Sequence, residues 1–439
     1  MRGLRKTFST LSQDLHHTSD PNDPEFSRIE RNVRINVYHG IADSISLNLA
    51  SPFIGIFAIK IGASNFQVGL LSSGPALISL LSMIPGARYL DKRSNQKQIL
   101  SRLILFHRLF YLLISIIPFF TEDKRASILV ILVALMNMPG SIFNVGWQAY
   151  ISKVIPVSRR ADAFALRNKY ISLFGTITVL VTGMVIDAIG FPVGYQVVFA
   201  AAFAMAVVEA YLFNRLEETV AEDTGSVKSS DEHDLPRTEG PFRSLIAEIR
   251  DIFQHTEFLR FVLASLVFHF AWQIPWPLFT LYQVKELGAT NTWISILSLS
   301  NTLGSILGYS FWPKILTKHG NLKTLFASGV WIFIVPTVYA FSKSLATIGV
   351  FNFLTGAIFA GVNLSLFNTL LDVTPTENKA TYIAYYTTVI NASAIFAPMV
   401  GVGLGDKFGF FWAFIICAAL RLASSLTFLL LNYLEKQSR

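Results

Sequence analysis

The residues able to do chemistry in this chain stand inside long apolar runs, where a charge is costly and is a functional candidate by default. Asp43 is the first, in the run 36–60. At 100° per residue Asn36, His39, Gly40, Asp43, Ser46 and Ala50 share one helical face, and His39, four residues before Asp43, can reach it. An offset of 226 carries Asp43 onto His269, whose face collects Ser265, Trp272, Gln273, Trp276 and Thr280. An acid and an imidazole at equivalent depths could exchange or share a proton, because histidine titrates near neutrality and a desolvated carboxyl binds its proton more tightly. The competing reading makes Asp43 a structural acid held by His39 or a backbone group. A second set is uncharged. Asn137, Gly140, Ser141, Asn144, Trp147 and Gln148 share a face, an offset of 219 relates Asn144 to Asn363, and Asn352, Gly356, Phe359, Asn363 and Phe367 form the matching stripe. Amides interleaved with aromatic rings suit a small organic solute with an apolar face; they equally suit bridges between neighbouring helices.

The elements that carry these residues are membrane spans. Of 439 residues 52% are hydrophobic and 15% charged, with mean hydropathy +0.49, whereas soluble domains carry roughly 25% charged residues. Runs of about 20 apolar residues, the length that crosses a bilayer, fall near 36–60, 65–88, 99–120, 127–152, 168–189, 192–214, 259–285, 291–313, 322–341, 345–372, 380–403 and 408–432. The reading is an all-α membrane protein of twelve transmembrane helices. Of the 36 Lys and Arg, only Lys60, Lys124, Arg125, Lys285, Lys343 and Lys407 fall in loops on one side. Arg108 and Arg421 lie inside spans, and the rest sit on the other side with both termini, which the positive-inside rule makes cytoplasmic. That distribution sets orientation and argues against reading the net charge of +8 as a nucleic-acid surface. Arg108 stands at a depth where Glu209 of span six could pair with it; Arg421 has no evident partner.

The spans repeat. The 226 offset places Gly62-Ala63-Ser64-Asn65 on Gly288-Ala289-Thr290-Asn291, and Lys92, Asn95 and Lys97 on Lys318, Asn321 and Lys323. The 219 offset aligns Val154, Pro156 and Ala161 with Val373, Pro375 and Ala380, and Asp187, Gly190 and Phe191 with Asp406, Gly409 and Phe410. Two parallel six-helix repeats follow, 35–216 and 258–434, between tails 1–34 and 435–439. They are joined by a linker, 217–257, whose first part is acidic and whose residues 242–253 have the pattern of an amphipathic interfacial helix. Two such halves can rock about a central site.

Six spans plus six, a long middle loop and the basic stretch Gly86-Ala87-Arg88-Tyr89-Leu90-Asp91-Lys92-Arg93, ending at Lys97, resemble the major facilitator superfamily, and within it bacterial sugar-efflux and multidrug-type permeases. The resemblance covers about 32–435. The glycine stands one residue farther from Asp91 than in the family signature, and Thr317 replaces the acid in the second half. Asn137 is the polar residue nearest to the span-four arginine of drug exporters, and their Gly-Pro motif is missing from 175–190, with an echo at Ala397-Pro398-Met399-Val400-Gly401. The resemblance implies that spans one, four, seven and ten line the pathway, so that Asn137, Asn144, Trp147, Gln148, Trp272, Gln273, Trp276 and Asn363 face the solute. It also implies that Asp91, Lys92 and Arg93 lock one gate. Asp43, His269 and His39 are then the proton-coupling residues of a monomeric secondary transporter in the plasma membrane, the bacterial inner membrane. Proton-coupled export is the first reading; uptake of a sugar or nucleoside, a receptor on the same scaffold and a lipid flippase stay open.

Cys417 is the one cysteine, so no internal disulfide can form. No phosphate-binding loop, metal-ligand spacing or nucleophile motif is present, so no cofactor, metal or catalytic residue is expected. No apolar leader precedes the first span, and the neighbours His16 and His17 read as incidental.

Overall fold

The computed structural model describes residues 24–91, 93–219, 255–375 and 379–438; Lys92, the 242–253 segment, His16 and His17 lie outside them. Among the described residues every regular element is helical. Ten helices are long and apolar enough to cross a membrane. The last of these, Tyr382–Tyr433, folds back at Gly409 (φ +74°) and supplies two limbs. Asn291–His319, 29 residues long and richer in Ser, Thr and Asn, takes the place of span eight. With the two limbs counted separately, the described helices give twelve rods.

Span one opens before its apolar run, at Pro24, because Asn32 anchors the extra turns: its Nδ2 donates to the carbonyls of Val154 (3.3 Å) and Glu217 (2.7 Å). Span eight tolerates its Ser, Thr, Asn and Gly content because small residues let it approach span ten closely. A Cβ on Gly304 would stand 1.8 Å from the Phe353 carbonyl, and one on Gly356 1.9 Å from that of Asn301. Asn352, assigned above to a cavity stripe, instead donates to the Leu297 carbonyl of span eight (3.3 Å). The repeat reappears in the backbone: Gly62 and Gly288 (φ +89° and +63°) and Gly190 and Gly409 (φ +86° and +74°) turn the chain in the left-handed region at equivalent positions.

Spans one and seven both interrupt their helices near the far side, at Ser51–Phe53 and between Gln273 and Trp276. Irregular backbone at membrane depth needs partners from protein. Arg421 supplies two bonds of this kind. Its guanidinium donates to Trp272 O (2.5 Å), in the last turn before the break in span seven, and to Ile332 O (3.3 Å) in the 3-10 turn of span nine. The one buried arginine of the second half therefore has backbone oxygens, not an acid, as its partners.

Candidate functional site

In the first half five ionisable side chains from four spans converge. His39 and Asp43 come from span one, Arg108 from span three, Arg167 from span five and Glu209 from span six. Arg108 Nη2 donates to Asp43 Oδ1 at 2.6 Å and its Nη1 to Tyr111 Oη at 3.1 Å, while its Nε stands 3.7 Å from Glu209 Oε2. Arg167 lies 3.9 Å from the other Asp43 oxygen, and His39 Nε2 lies 3.9 Å from Glu209 Oε1. Glycine at position 40 admits Arg167, since a Cβ there would be 2.7 Å from Arg167 Nε.

The two carboxylates are not equivalent. The Asp43 side chain is 29% accessible and that of Glu209 1%. With both acids ionised the two guanidiniums balance them. Arg108 is bonded to one acid and falls just short of bonding the other, so Glu209 Oε2, Arg108 Nε, both His39 nitrogens and the Asn36 amide have no hydrogen-bond partner although buried. Buried polar groups left open in this way are costly. A proton, a water or a small shift of Arg108 satisfies several at once.

Beside this network lies a cavity of about 380 Å³ between the halves. Ser72, His107, Tyr111 and Asn137 line it from the first half, and Trp276 and Thr280 from the second. Tyr111 belongs to both features, receiving the Arg108 hydrogen bond and forming cavity wall. Asn137 Nδ2 donates to the Val133 carbonyl one turn back (2.8 Å), which leaves its Oδ1 for a solute. Among the described residues no group of His, Cys, Asp or Glu could hold a metal ion.

The sequence model of the Major Facilitator Superfamily matches residues 40–283 and 261–438, two overlapping stretches that together span both halves. The chain belongs to the Major Facilitator Superfamily. It is a multi-pass membrane transporter and not an enzyme. Solved structures show the same fold at low identity. The nucleoside transporter NupG matches with TM-score 0.68 at 11% identity, over 91% of this chain and 99% of its own. The D-xylose-proton symporter gives 0.63 at 11%, over 90% and 96%. A bacterial homolog of the human lysosomal transporter Spinster, inward-facing and occupied, gives 0.63 at 12%, over 95% and 98%. No curated protein matches the sequence.

Within this superfamily member the residues expected to face the solute separate. Asn137 and Trp276 meet in the cavity. Asn144 and Gln148 are accessible farther toward the termini side, 3.5 Å apart, and Asn363 is accessible on span ten. Trp147 lies under the Arg167 guanidinium, 4.5 Å from its ring centre, so it touches the charge network. Trp272 stacks on Phe359 at 5.0 Å. Gln273 is buried and accepts from Ser393 of span eleven (2.9 Å), bridging two helices. His269 Nδ1 pairs with the Ser265 carbonyl (2.8 Å), and its ring packs against Phe268 and Trp272. No hydrogen bond, ion pair or ring contact joins His269 to Asp43, whose partners are the two arginines. Exchange of a proton directly between these two residues therefore has no contact behind it. His107 and Tyr111 escape the face analysis because span three is peripheral in the resemblance; their spacing of one turn beside Arg108 is the available signal.

The two sides of this transporter differ. On the far side Asp187 accepts from the backbone N–H (3.1 Å) and side chain (2.8 Å) of Asn291 and from Thr292 N–H (2.8 Å), capping span eight. Tyr195 donates to Asn291 Oδ1 (2.7 Å). The counterpart under the repeat is Asn65 donating to Asp406 (2.6 Å) while accepting from Lys285 (2.8 Å). On the termini side no hydrogen bond or ion pair joins the halves among the described residues. Among the described residues, then, the bonds that tie the two halves together lie on the far side. Of the expected gate residues, Arg93 is accessible and its guanidinium lies 5.0 Å from the Tyr89 ring centre; the backbone at Asp91 ends span two.

Proposed function

We propose that this protein is a proton-coupled secondary transporter of a small organic solute, working by alternating access as a monomer in the plasma membrane with both termini cytoplasmic, so that the side on which the halves are bonded is the outer one. The observation that carries the reading is Arg108 placed between two acids, 2.6 Å from Asp43 and 3.7 Å from Glu209. A proton arriving at the accessible Asp43 cancels the charge that holds Arg108. The guanidinium then closes the short gap to Glu209, which His39 flanks, and its hold on Tyr111 changes with it. Tyr111 is cavity wall, so the solute and the proton act on one side chain. Loss of the proton reverses the exchange. His39 and Asp43 keep the coupling role expected from sequence, Arg108 and Glu209 join them, and His269 shapes the aromatic wall of the second half.

The cavity favours a solute the size of a sugar or nucleoside: about 380 Å³, with Trp276 and Tyr111 for an apolar or ring face and Asn137, His107 and Thr280 for hydroxyl or amide groups. Export in exchange for protons is the first reading, on the resemblance to efflux permeases. Uptake driven by protons is the second, favoured by the solutes named for two fold relatives, a nucleoside and D-xylose. A thermal-shift screen over sugars, nucleosides and cationic dyes identifies a binder. Uptake of that binder into proteoliposomes under imposed pH gradients then tests the reading. Accumulation should follow the gradient in one direction, whose sign separates export from uptake. Equal fluxes under opposite gradients would overturn coupling.

A further inference from the structure

The two halves differ most at their termini-side ends. In the first half the mouth between spans one, three, four and six is closed by the chain itself. The helix of span six stops at Asn214. The Leu216 carbonyl accepts from Lys97 Nζ (2.6 Å), and the Glu217 carboxylate meets Arg31 (3.1 Å). The Glu217 backbone bonds Asn32, and Thr219 reaches the carbonyls of Lys153 (3.2 Å) and Val154 (2.6 Å).

In the second half no such plug exists among the described residues. Asn214 corresponds to Tyr433 under the 219 offset, yet the helix runs on to Ser438. The equivalent mouth is a cleft of about 430 Å³ with Phe261, Leu322, Val373 and Leu431 as its apolar floor. Lys323, the counterpart of Lys97, stands at its rim with Arg260 and His319. All three are accessible, and among the described residues none makes a side-chain hydrogen bond or ion pair. The helix Asn321–Gly329 begins at the same rim, with Gly320 as a cap that has no side chain to satisfy the first N–H groups. In one half, then, a lysine holds a chain oxygen beside a carboxylate; in the other, the same lysine faces an open cleft among two further basic groups and free backbone donors.

We propose that this cleft is a binding site for a single phosphate group, either free or carried as the head group of an anionic lipid. Lys323 and Arg260 supply charge-assisted hydrogen bonds, and the first-turn N–H groups of Leu322 and Lys323 complete the cradle. Two acids also border it. Asp372 is engaged by Asn321, and Glu257 sits in the first turn of span seven. The apolar floor accommodates the first acyl carbons of a lipid. The site is separate from the charge network and the solute cavity, so it stands whether or not transport is proton-coupled.

The test uses the full chain in two settings. In detergent, binding of radiolabelled inorganic phosphate is measured by equilibrium dialysis, with chloride matched for ionic strength. In nanodiscs, thermal stability is compared between zwitterionic lipid alone and the same lipid with phosphatidylglycerol. Binding in the first setting identifies free phosphate; stabilisation in the second alone identifies a lipid head group. Lys323→Gln and Arg260→Gln should each weaken the response about tenfold or more, the loss expected of a charge-assisted hydrogen bond. Arg93→Gln, on the first half, should leave it unchanged. Absence of any response in both settings, or an equal response in wild type and Lys323→Gln, overturns the proposal.

Discussion

Replacing Asp187 by alanine should open the far gate, and replacing its repeat counterpart Asp406 should do much less. The difference follows from what each carboxylate holds. Asp187 accepts three hydrogen bonds from Asn291 and Thr292, two of them from the fully buried Asn291, and faces the start of a 29-residue helix. Hydrogen bonds to a charged group contribute about 1.5–3 kcal/mol each. Asp187 is itself accessible, so solvent replaces part of that. A net loss of about 2–3 kcal/mol is reasonable, which is roughly a fifty-fold shift in a two-state equilibrium. Asp406 makes one exposed bond to Asn65, worth at most about 1 kcal/mol. The assay is pulsed electron resonance between nitroxides at Lys124→Cys and Lys343→Cys, both accessible on the far side, in a Cys417→Ser background. A second pair at Arg93→Cys and His319→Cys reads the termini side. Asp187→Ala should populate a longer distance for the first pair and a shorter one for the second, with Asp406→Ala close to wild type. Unchanged distances in Asp187→Ala, or a larger change in Asp406→Ala, would refute the assignment of the main latch.

Other consequences follow from buried groups. Arg108→Gln leaves Asp43 and Glu209 facing each other without their shared cation, and should destabilise the protein by about 3–5 kcal/mol and abolish transport; thermal unfolding in detergent and a flux assay check the two effects. Gly356→Val should fail to fold or should lose about 3 kcal/mol or more, because even a methyl group would stand 1.9 Å from the Asn301 carbonyl; the yield of monodisperse protein reports it. Arg421→Met keeps the volume but frees the Trp272 and Ile332 carbonyls, at a cost of about 1–3 kcal/mol seen as a lower unfolding midpoint. Because neither carbonyl is in the solute cavity, solute affinity should change little.

Much of the architecture is legible in sequence because it is dictated by length, hydropathy and repetition. Apolar run lengths mark the spans, span eight at 291–313 included, and close glycine contacts hold that helix against span ten. The depth of Arg108 and Glu209 along their spans already suggests their approach. What the repeat offsets cannot convey is contact between halves. They equate Asn65 with Asn291 and Asp187 with Asp406, whereas the bonds cross, Asn65 to Asp406 and Asn291 to Asp187, because the repeat axis maps one bond onto the other. Side-chain direction is equally hidden. Gln273 and Asn352 lie on polar faces yet turn to spans eleven and eight, since a buried amide takes the nearest backbone or hydroxyl partner. His107 and Tyr111 require knowing that span three reaches the cavity.

The central claim is that Asp43 carries the coupled proton by trading Arg108 with Glu209. The measurement that reaches it most directly is a comparison of wild type and Asp43→Asn in proteoliposomes, with solute exchange at equal pH and accumulation under a pH gradient recorded on the same preparation. The substituted amide cannot cycle a proton but still fits beside Arg108, so exchange should persist while gradient-driven accumulation disappears. Accumulation at the wild-type level in Asp43→Asn would contradict the account.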